Sequence, residues 1–367
     1  MALPTAPDLV HDRAGRPRFG TYQGAFDVVR LDQLDADHAL RGLARVRRQK
    51  KWVYTFAASE EVALVSAVVD TTYSATSFTL VADLRTREVV ADRSFLGSPR
   101  PLVAVGPHAT EGMECRYVSA AGRTTKRRAR GEGSYAVGIA LRPAVVTRLG
   151  RSRAPGQGGP GQPVQPGRQG VSASLSLDAS TERPLSVVAP VDGNGRINVT
   201  TKSGALPASG QVRVGPRSYR LDGGFGGFDF THGYLARRTA WRWAFTAGRA
   251  VDGTPVSLNL VEGFNEARDD VNENGLWLGG RLIPLDRARF SFDASDPMKP
   301  WQVRTLDGSV DLTFDVIGVH EEHRNLGVVK SMFVQPIGLF TGTIRVDGTT
   351  YTVENLPGVT EDQDVIW

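Results

Sequence analysis

Two seven-residue segments share one spacing: Trp52, Tyr54, Phe56 and Ala58 stand as W-x-Y-x-F-x-A, and Trp241, Trp243, Phe245 and Ala247 as W-x-W-x-F-x-A. Residues two apart lie on one face of an extended strand, whereas a helix scatters them around its axis. Each segment is followed by further apolar runs in the same order. These are VALVSAVVD (62–70) and SFTLVADL (77–84) in the first half, VSLNLVEGF (256–264) and GLWLGGRL (275–282) in the second. Three successive strands repeated in order predict a duplicated β-domain.

The rest of the chain reads the same way. SVDLTFDVIG (309–318) places Val310, Leu312, Phe314 and Val316 on one face and Asp311, Thr313 and Asp315 on the other. Asp252-Gly253, Gly279-Gly280 and Asp347-Gly348 sit between extended segments and suit the primed turns of tight antiparallel hairpins. Helical spacing is confined to LDQLDADHALRGLARVRRQKK (31–51), where Leu31, Leu34, His38 and Leu43 predict a short helix covering a barrel end. The stretch 150–170 has eleven Gly or Pro in twenty-one positions and predicts a mobile loop inserted in the first domain. VSASLSLD (171–178) and LSVVAPV (185–191) still read as strands of that domain, so the boundary is expected near Gly193-Asn194-Gly195. The expected fold is all-β: two tandem lipocalin-like antiparallel β-barrels, residues 1–193 and 194–367. Barrels of about eight strands remove sheet edges and leave room for one small ligand.

A hydrophobic content of 40% and a charged content of 23% are those of a soluble globular chain. A lone cysteine, Cys115, permits no internal disulfide and fits a reducing compartment. The first residues, MALPTAPDLVHDRAG, lack the basic flank and apolar run of a signal peptide, and no apolar run is long enough to span a bilayer as a helix. The expected location is cytoplasmic. Basic residues gather in RVRRQKK (45–51) and TTKRRARG (124–131), but 44 basic against 39 acidic residues is a small excess, and no helix-turn-helix, zinc-finger or RNP pattern surrounds them. Solvated loops and strand ends are expected there, with no specific nucleic-acid partner; weak attraction to an anionic membrane surface stays open.

Several stretches together resemble a known bacterial family, the domain of unknown function 2804. They are FGTYQGAF (19–26), KKWVY (50–54), TAWRWAF (239–245), LNLVEGFNE (258–266), NENGLWLGGRL (272–282), DPMKPW (296–301), KSMFVQPIGLFTG (330–342) and EDQDVIW (361–367). The resemblance covers nearly the whole chain and brings no established activity. More distantly, a Gly-rich approach to Asp229, then Gly233 and the pair Trp241 and Trp243, is similar to the AttH and carotenoid 1,2-hydratase (hydroxyneurosporene synthase) group of tandem lipocalin-like barrels. Tocopherol cyclase is thought to share that architecture. The resemblance implies Asp229 as proton donor and no cofactor. Where those relatives usually carry a basic or polar residue after the aspartate and a Trp before the glycine, this chain has Phe230 and His232.

Hydrating or cyclising an isoprenoid alkene requires protonating a carbon, and an apolar cavity keeps a carboxyl group protonated. Asp229 lies between Phe228 and Phe230, and Trp241 or Trp243 could face a developing cation. The alternative is that Asp229 caps a turn and the tryptophans are core. His232 either orients Asp229 or is a turn residue. EGFNEARDDVNENG (262–275) is rich in carboxylates and amides and lacks EF-hand spacing. It reads as a loop at a barrel mouth, where Glu262, Asn265, Glu273 and Asn274 would bind the polar end of a ligand, or as a solvated loop. Trp52, Tyr54 and Trp277 join Trp241 and Trp243 as candidate aromatic lining. HEEHRN (320–325) lacks zinc-protease spacing and reads as an exposed turn, so no metal is expected, and Cys115 reads as structural. Two function classes remain: a carrier for a small lipophilic, isoprenoid- or lipid-like molecule, and a cofactor-independent hydratase or cyclase using Asp229. Carbohydrate cleavage by the acidic loop is a third.

Overall fold

Both repeat segments form strands, Gln49–Ala58 and Arg238–Arg249, and each runs through the middle of its own antiparallel sheet. The computed structural model describes residues 3–98, 101–144, 167–191, 196–325, 327 and 329–367. Among these residues the chain forms a sheet of fourteen strands and a sheet of nine, each curled into a half-barrel.

The second sheet runs, in spatial order, Arg281–Pro284, Gly275–Leu278, Pro255–Glu262, Arg238–Arg249, Thr349–Ile366, Lys330–Val346, Val310–Asn325, Trp301–Thr305 and Ala288–Ser291. In the first sheet the same nine places are taken by Glu88–Gly97, Ala75–Asp83, Val62–Asp70, Gln49–Ala58, Gly224–Tyr234, Arg196–Val214, Val171–Asp178, Ser134–Leu141 and Gly122–Arg128. The duplication seen in three strands therefore extends to nine. The expected boundary at 193/194 lies outside the described residues, and the strands flanking it, Leu185–Val191 and Arg196–Val214, pair with each other in the first sheet. The change of sheet comes between Tyr234 and Arg238. A glycine-rich turn signal marks a hairpin as readily as a linker, and the first half needs two more strands to complete its order. Most of the Gly/Pro-rich insertion, 150–166 of 150–170, also lies outside the described residues.

Alternation sorts the side chains of the described residues into three large cores and one small cluster. Val53 and Phe230 pack inside the first half-barrel, and Leu258 and Phe314 inside the second. Tyr54, Phe56, Trp243 and Phe245 form a third cluster where the backs of the two sheets meet. Phe56 and Phe245 are 0% and 2% exposed, and burying such a ring stabilises by roughly 1.5–3 kcal/mol. Two of the three expected tight turns form: Gly279 and Gly280 take φ of 56° and 82°, Asp347 and Gly348 take 50° and 78°, the left-handed pair that a type I′ turn requires, whereas at Asp252-Gly253 only Gly253 is left-handed, at 87°, within a longer connection between Arg238–Arg249 and Pro255–Glu262.

Three expectations change. Residues 31–51 hold only a 3-10 turn at Leu31–Gln33 and a helix at Gly42–Arg48, because Leu43 is 62% exposed and no apolar stripe anchors a longer helix, while 49–51 pair in the sheet. The basic clusters are not wholly solvated: period-two alternation turns Lys126 and Arg128 inward, and Lys50 is buried as well. HEEHRN does not turn, since Val310–Asn325 continues through it and buries His320.

Candidate functional site

The two repeat segments face each other position by position across the junction. Trp52 stacks on Trp241 with ring centres 6.1 Å apart, Tyr54 meets Trp243 edge-on at 4.9 Å, and Phe56 meets Phe245 at 5.7 Å. At the phenylalanine end the sheets are in close contact: a Cβ on Gly227 would come within 2.5 Å of the Phe245 ring, and one on Gly204 within 2.6 Å of Trp277. Toward the tryptophans the sheets part around a cavity that opens to solvent. Its walls are aromatic, with Phe78, Phe264, Phe333 and Trp367 joining the repeat residues.

Its floor is charged. Lys202 and Asp229 stand opposite each other on neighbouring strands, and Lys202 Nζ lies 2.7 Å from Asp229 Oδ1 and 3.3 Å from Glu273 Oε2. Trp52 Nε1 donates to Asp229 Oδ2 at 3.1 Å and Thr200 Oγ1 to Oδ1 at 3.2 Å. The duplication sets Glu361 in the matching place of the second sheet. Trp241, the counterpart of Trp52, donates from Nε1 to Glu361 Oε1 at 2.6 Å, and Gln335 Nε2 donates to Oε2 at 2.8 Å. The ammonium of the first half is thus replaced by a neutral amide in the second.

Burial, with the Asp229 charge adding to it, pushes the Glu361 carboxyl up to about 8, against the hydrogen bonds from Trp241 and Gln335. Glu361 therefore carries a proton at neutral pH. Burial acts to lower the Lys202 pKa, but the charges and hydrogen bonds of Asp229 and Glu273 outweigh it and leave the ammonium stabilised. Burial also raises Glu273, with Lys202 opposing. Among the described residues no group of three His, Cys, Asp or Glu side chains is arranged to hold a metal ion.

Of the residues singled out from sequence, Trp52, Tyr54, Asp229, Trp241, Trp243 and Glu273 line the cavity. Five do not. His232 is three residues from Asp229 on one strand and so projects to the opposite face, where its Nε2 is 2.6 Å from Gln49 Nε2 and burial lowers its pKa well below the usual value. Glu262 accepts from the Phe290 amide beside Arg242 and Arg289. Asn265 accepts from Asn198, Asn274 ties the Val261 amide to the Asp286 carbonyl, and Trp277 donates to the Arg183 carbonyl. These side chains hold the loop and the junction together. Lys202, Glu361, Phe78 and Phe333 were missed. Lys202 had a faint signal as a lone cation in the β-branched run INVTTKSG (197–204), whereas Glu361 lay in the quoted EDQDVIW with nothing to single it out.

Fold and site define a class: paired β-half-barrels with an aromatic cavity and a buried acid cluster at their junction. Within it, the chain belongs to the family described as domain of unknown function (DUF2804), which matches residues 3–367. No curated protein matches the sequence. Among solved structures it is similar to kievitone hydratase from Nectria haematococca, with 10% identity, 98% of each chain covered and a TM-score of 0.45. CghA in complex with Sch210972 is similar at 12% identity over 86% of this chain and 88% of that one, TM-score 0.48. A Nitrosomonas europaea protein assigned to AttH is similar at 12% identity over 90% of this chain and 98% of that one, TM-score 0.40.

Proposed function

We propose that the junction cavity binds a small, largely apolar molecule and adds water, or an internal hydroxyl, across one of its C=C bonds by acid–base catalysis without a cofactor. The observation carrying this reading is the unlike pair of carboxyl groups on the floor: Glu361 kept protonated by burial, and Asp229 ion-paired to Lys202. A neutral carboxyl group beside an ion-paired carboxylate supplies the acid and the base that such an addition needs near pH 7. The resemblance to the hydratase group assigns the proton to Asp229. Here the roles are exchanged: Glu361 supplies the proton and Asp229 withdraws one from the attacking water. A carrier remains the second reading, favoured by the aromatic walls, which would hold a lipophilic molecule without any chemistry.

Native mass spectrometry of the purified protein, before and after incubation with a total lipid extract, tests the proposal. A discrete adduct is expected, and the released molecule should be heavier than the free compound by one water or rearranged at equal mass. Glu361→Gln should retain the adduct and abolish the change. An adduct released unaltered by the wild-type protein would leave only the carrier, and no adduct from any extract would end both readings.

A further inference from the structure

Among the described residues, Tyr54 Oη, Gln335 Oε1 and Glu273 Oε2 are buried polar atoms around the floor without a hydrogen-bond partner. The latter two are acceptors, and Glu273 has the Lys202 ammonium 3.3 Å away. Tyr54 is the one with a proton to give. It stands directly opposite Asp229 on the neighbouring strand, is 6% exposed, and lines the cavity. Burial above all, then the charges of Glu361 and Asp229, raise its pKa well above the usual value, with the Gln335 amide opposing; that amide lies outside hydrogen-bonding geometry with Oη. The phenol is a neutral donor waiting for an acceptor.

Other donors of the floor are already engaged. The Trp52 indole is held by Asp229, Trp241 by Glu361 and Trp243 by Asn259, while Lys202 serves two carboxylates. Glu361 differs, because its two oxygens accept from Trp241 and Gln335 and a proton on either of them remains free to be donated. Tyr54 and Glu361 thus offer two neutral O–H groups beside a carboxylate. A phenol next to a carboxylic acid kept neutral by an apolar site is suited to holding an enolate oxygen.

We propose that the reacting C=C bond is conjugated to a ketone whose oxygen lies between the Tyr54 and Glu361 hydroxyls. This deepens the addition reaction inferred above, rests on it, and names its substrate class as an enone on an apolar skeleton. Asp229 takes a proton from water as the water oxygen bonds to the β-carbon. The π electrons move to the carbonyl oxygen, which accepts the Glu361 proton and becomes an enol. The enol then collapses: its α-carbon takes the proton held by Asp229, and its O–H proton returns to Glu361. One water has been added and both carboxyl groups are restored. A carboxyl titrating as high as Glu361 is too weak an acid to make a carbocation from an isolated alkene, but it matches an oxygen that gains charge in the transition state.

The test uses two probes of similar shape, 2-acetylnaphthalene and 2-isopropylnaphthalene, with wild type and Tyr54→Phe. Wild type should bind the ketone about tenfold more tightly than the hydrocarbon, as expected for hydrogen bonds made in a desolvated site. The carbonyl stretch of the bound ketone should move to lower wavenumber. Tyr54→Phe should bind the hydrocarbon as wild type does, lose most of the preference, and shift the stretch back. Equal binding of the two probes by wild type, or a preference unchanged in Tyr54→Phe, would overturn the ketone assignment while leaving the cavity and its acid–base pair in place. If neither probe binds, the cavity reading falls with it.

Discussion

Replacing Glu361 by Gln removes one titration from the molecule and should change how its stability depends on pH. In the folded protein the carboxyl loses its proton at about 8 instead of 4.5. At 1.36 kcal/mol per unit this corresponds to at most about 5 kcal/mol, reduced by whatever water reaches the floor. The folded state binds the extra proton, so the stabilisation is complete below pH 4.5 and is lost as pH rises through about 8. Gln keeps the acceptor for the Trp241 indole, and turning the Gln335 amide over offers its unpartnered Oε1 to the new NH₂. Urea denaturation of both proteins at pH 5, 6.5, 8 and 9.5 reads the difference. The wild type should lose stability relative to the variant between pH 5 and 8, and the two curves should run parallel above 9. Parallel curves across the whole range would show that Glu361 ionises normally, and the acid assigned to this site would go with it.

Lys202→Met leaves Asp229 and Glu273 buried without a counter-charge and should cost about 3–5 kcal/mol in chemical denaturation, the range for breaking a buried ion pair. His320 is stacked on Phe78 and lies 2.7 Å from Asp92; burial opposes its charge, but Asp92 and Glu322 raise it to about 9. Its contribution is therefore full below pH 6.5 and lost as pH rises through about 9, and a His320→Gln variant measured over that window should not show the loss. Gly204→Ala drives a methyl group into Ser257 and Trp277 between the sheets and should lower stability by about 1–3 kcal/mol in thermal unfolding. Cys115 is buried with its thiol pushed up to about 12, so a thiol reagent at pH 8 should label it only at the rate of unfolding.

Period-two spacing made the strands legible wherever one face was apolar, as at 309–318, and the Gly-containing dipeptides marked three hairpins, two of them with backbone angles that only glycine, Asn or Asp adopt easily. The aromatic half of the site was legible for the same reason, since the residues that define the repeat, Trp52, Tyr54, Trp241 and Trp243, are the ones that meet across the junction. The acidic loop was misleading. Its density of carboxylates and amides reflects turn and capping bonds made by Glu262, Asn265 and Asn274, and only Glu273 among the chosen four reaches the cavity. His232 failed on a rule available from the start, because three residues along a strand change faces.

The sequence by itself determined the fold class and the duplication, since both follow from which residues alternate and in what order the strands recur. Local spacing sets which face a side chain occupies, and that needs no knowledge of distant neighbours. Protonation states are set by charge and burial across space, and only the tertiary structure could decide them. Trp52 and Asp229 are 177 residues apart and Trp241 and Glu361 are 120 apart. Two carboxyl groups in equivalent places of the duplicated sheets meet different partners, the Lys202 ammonium for Asp229 and the Gln335 amide for Glu361, and burial raises the latter.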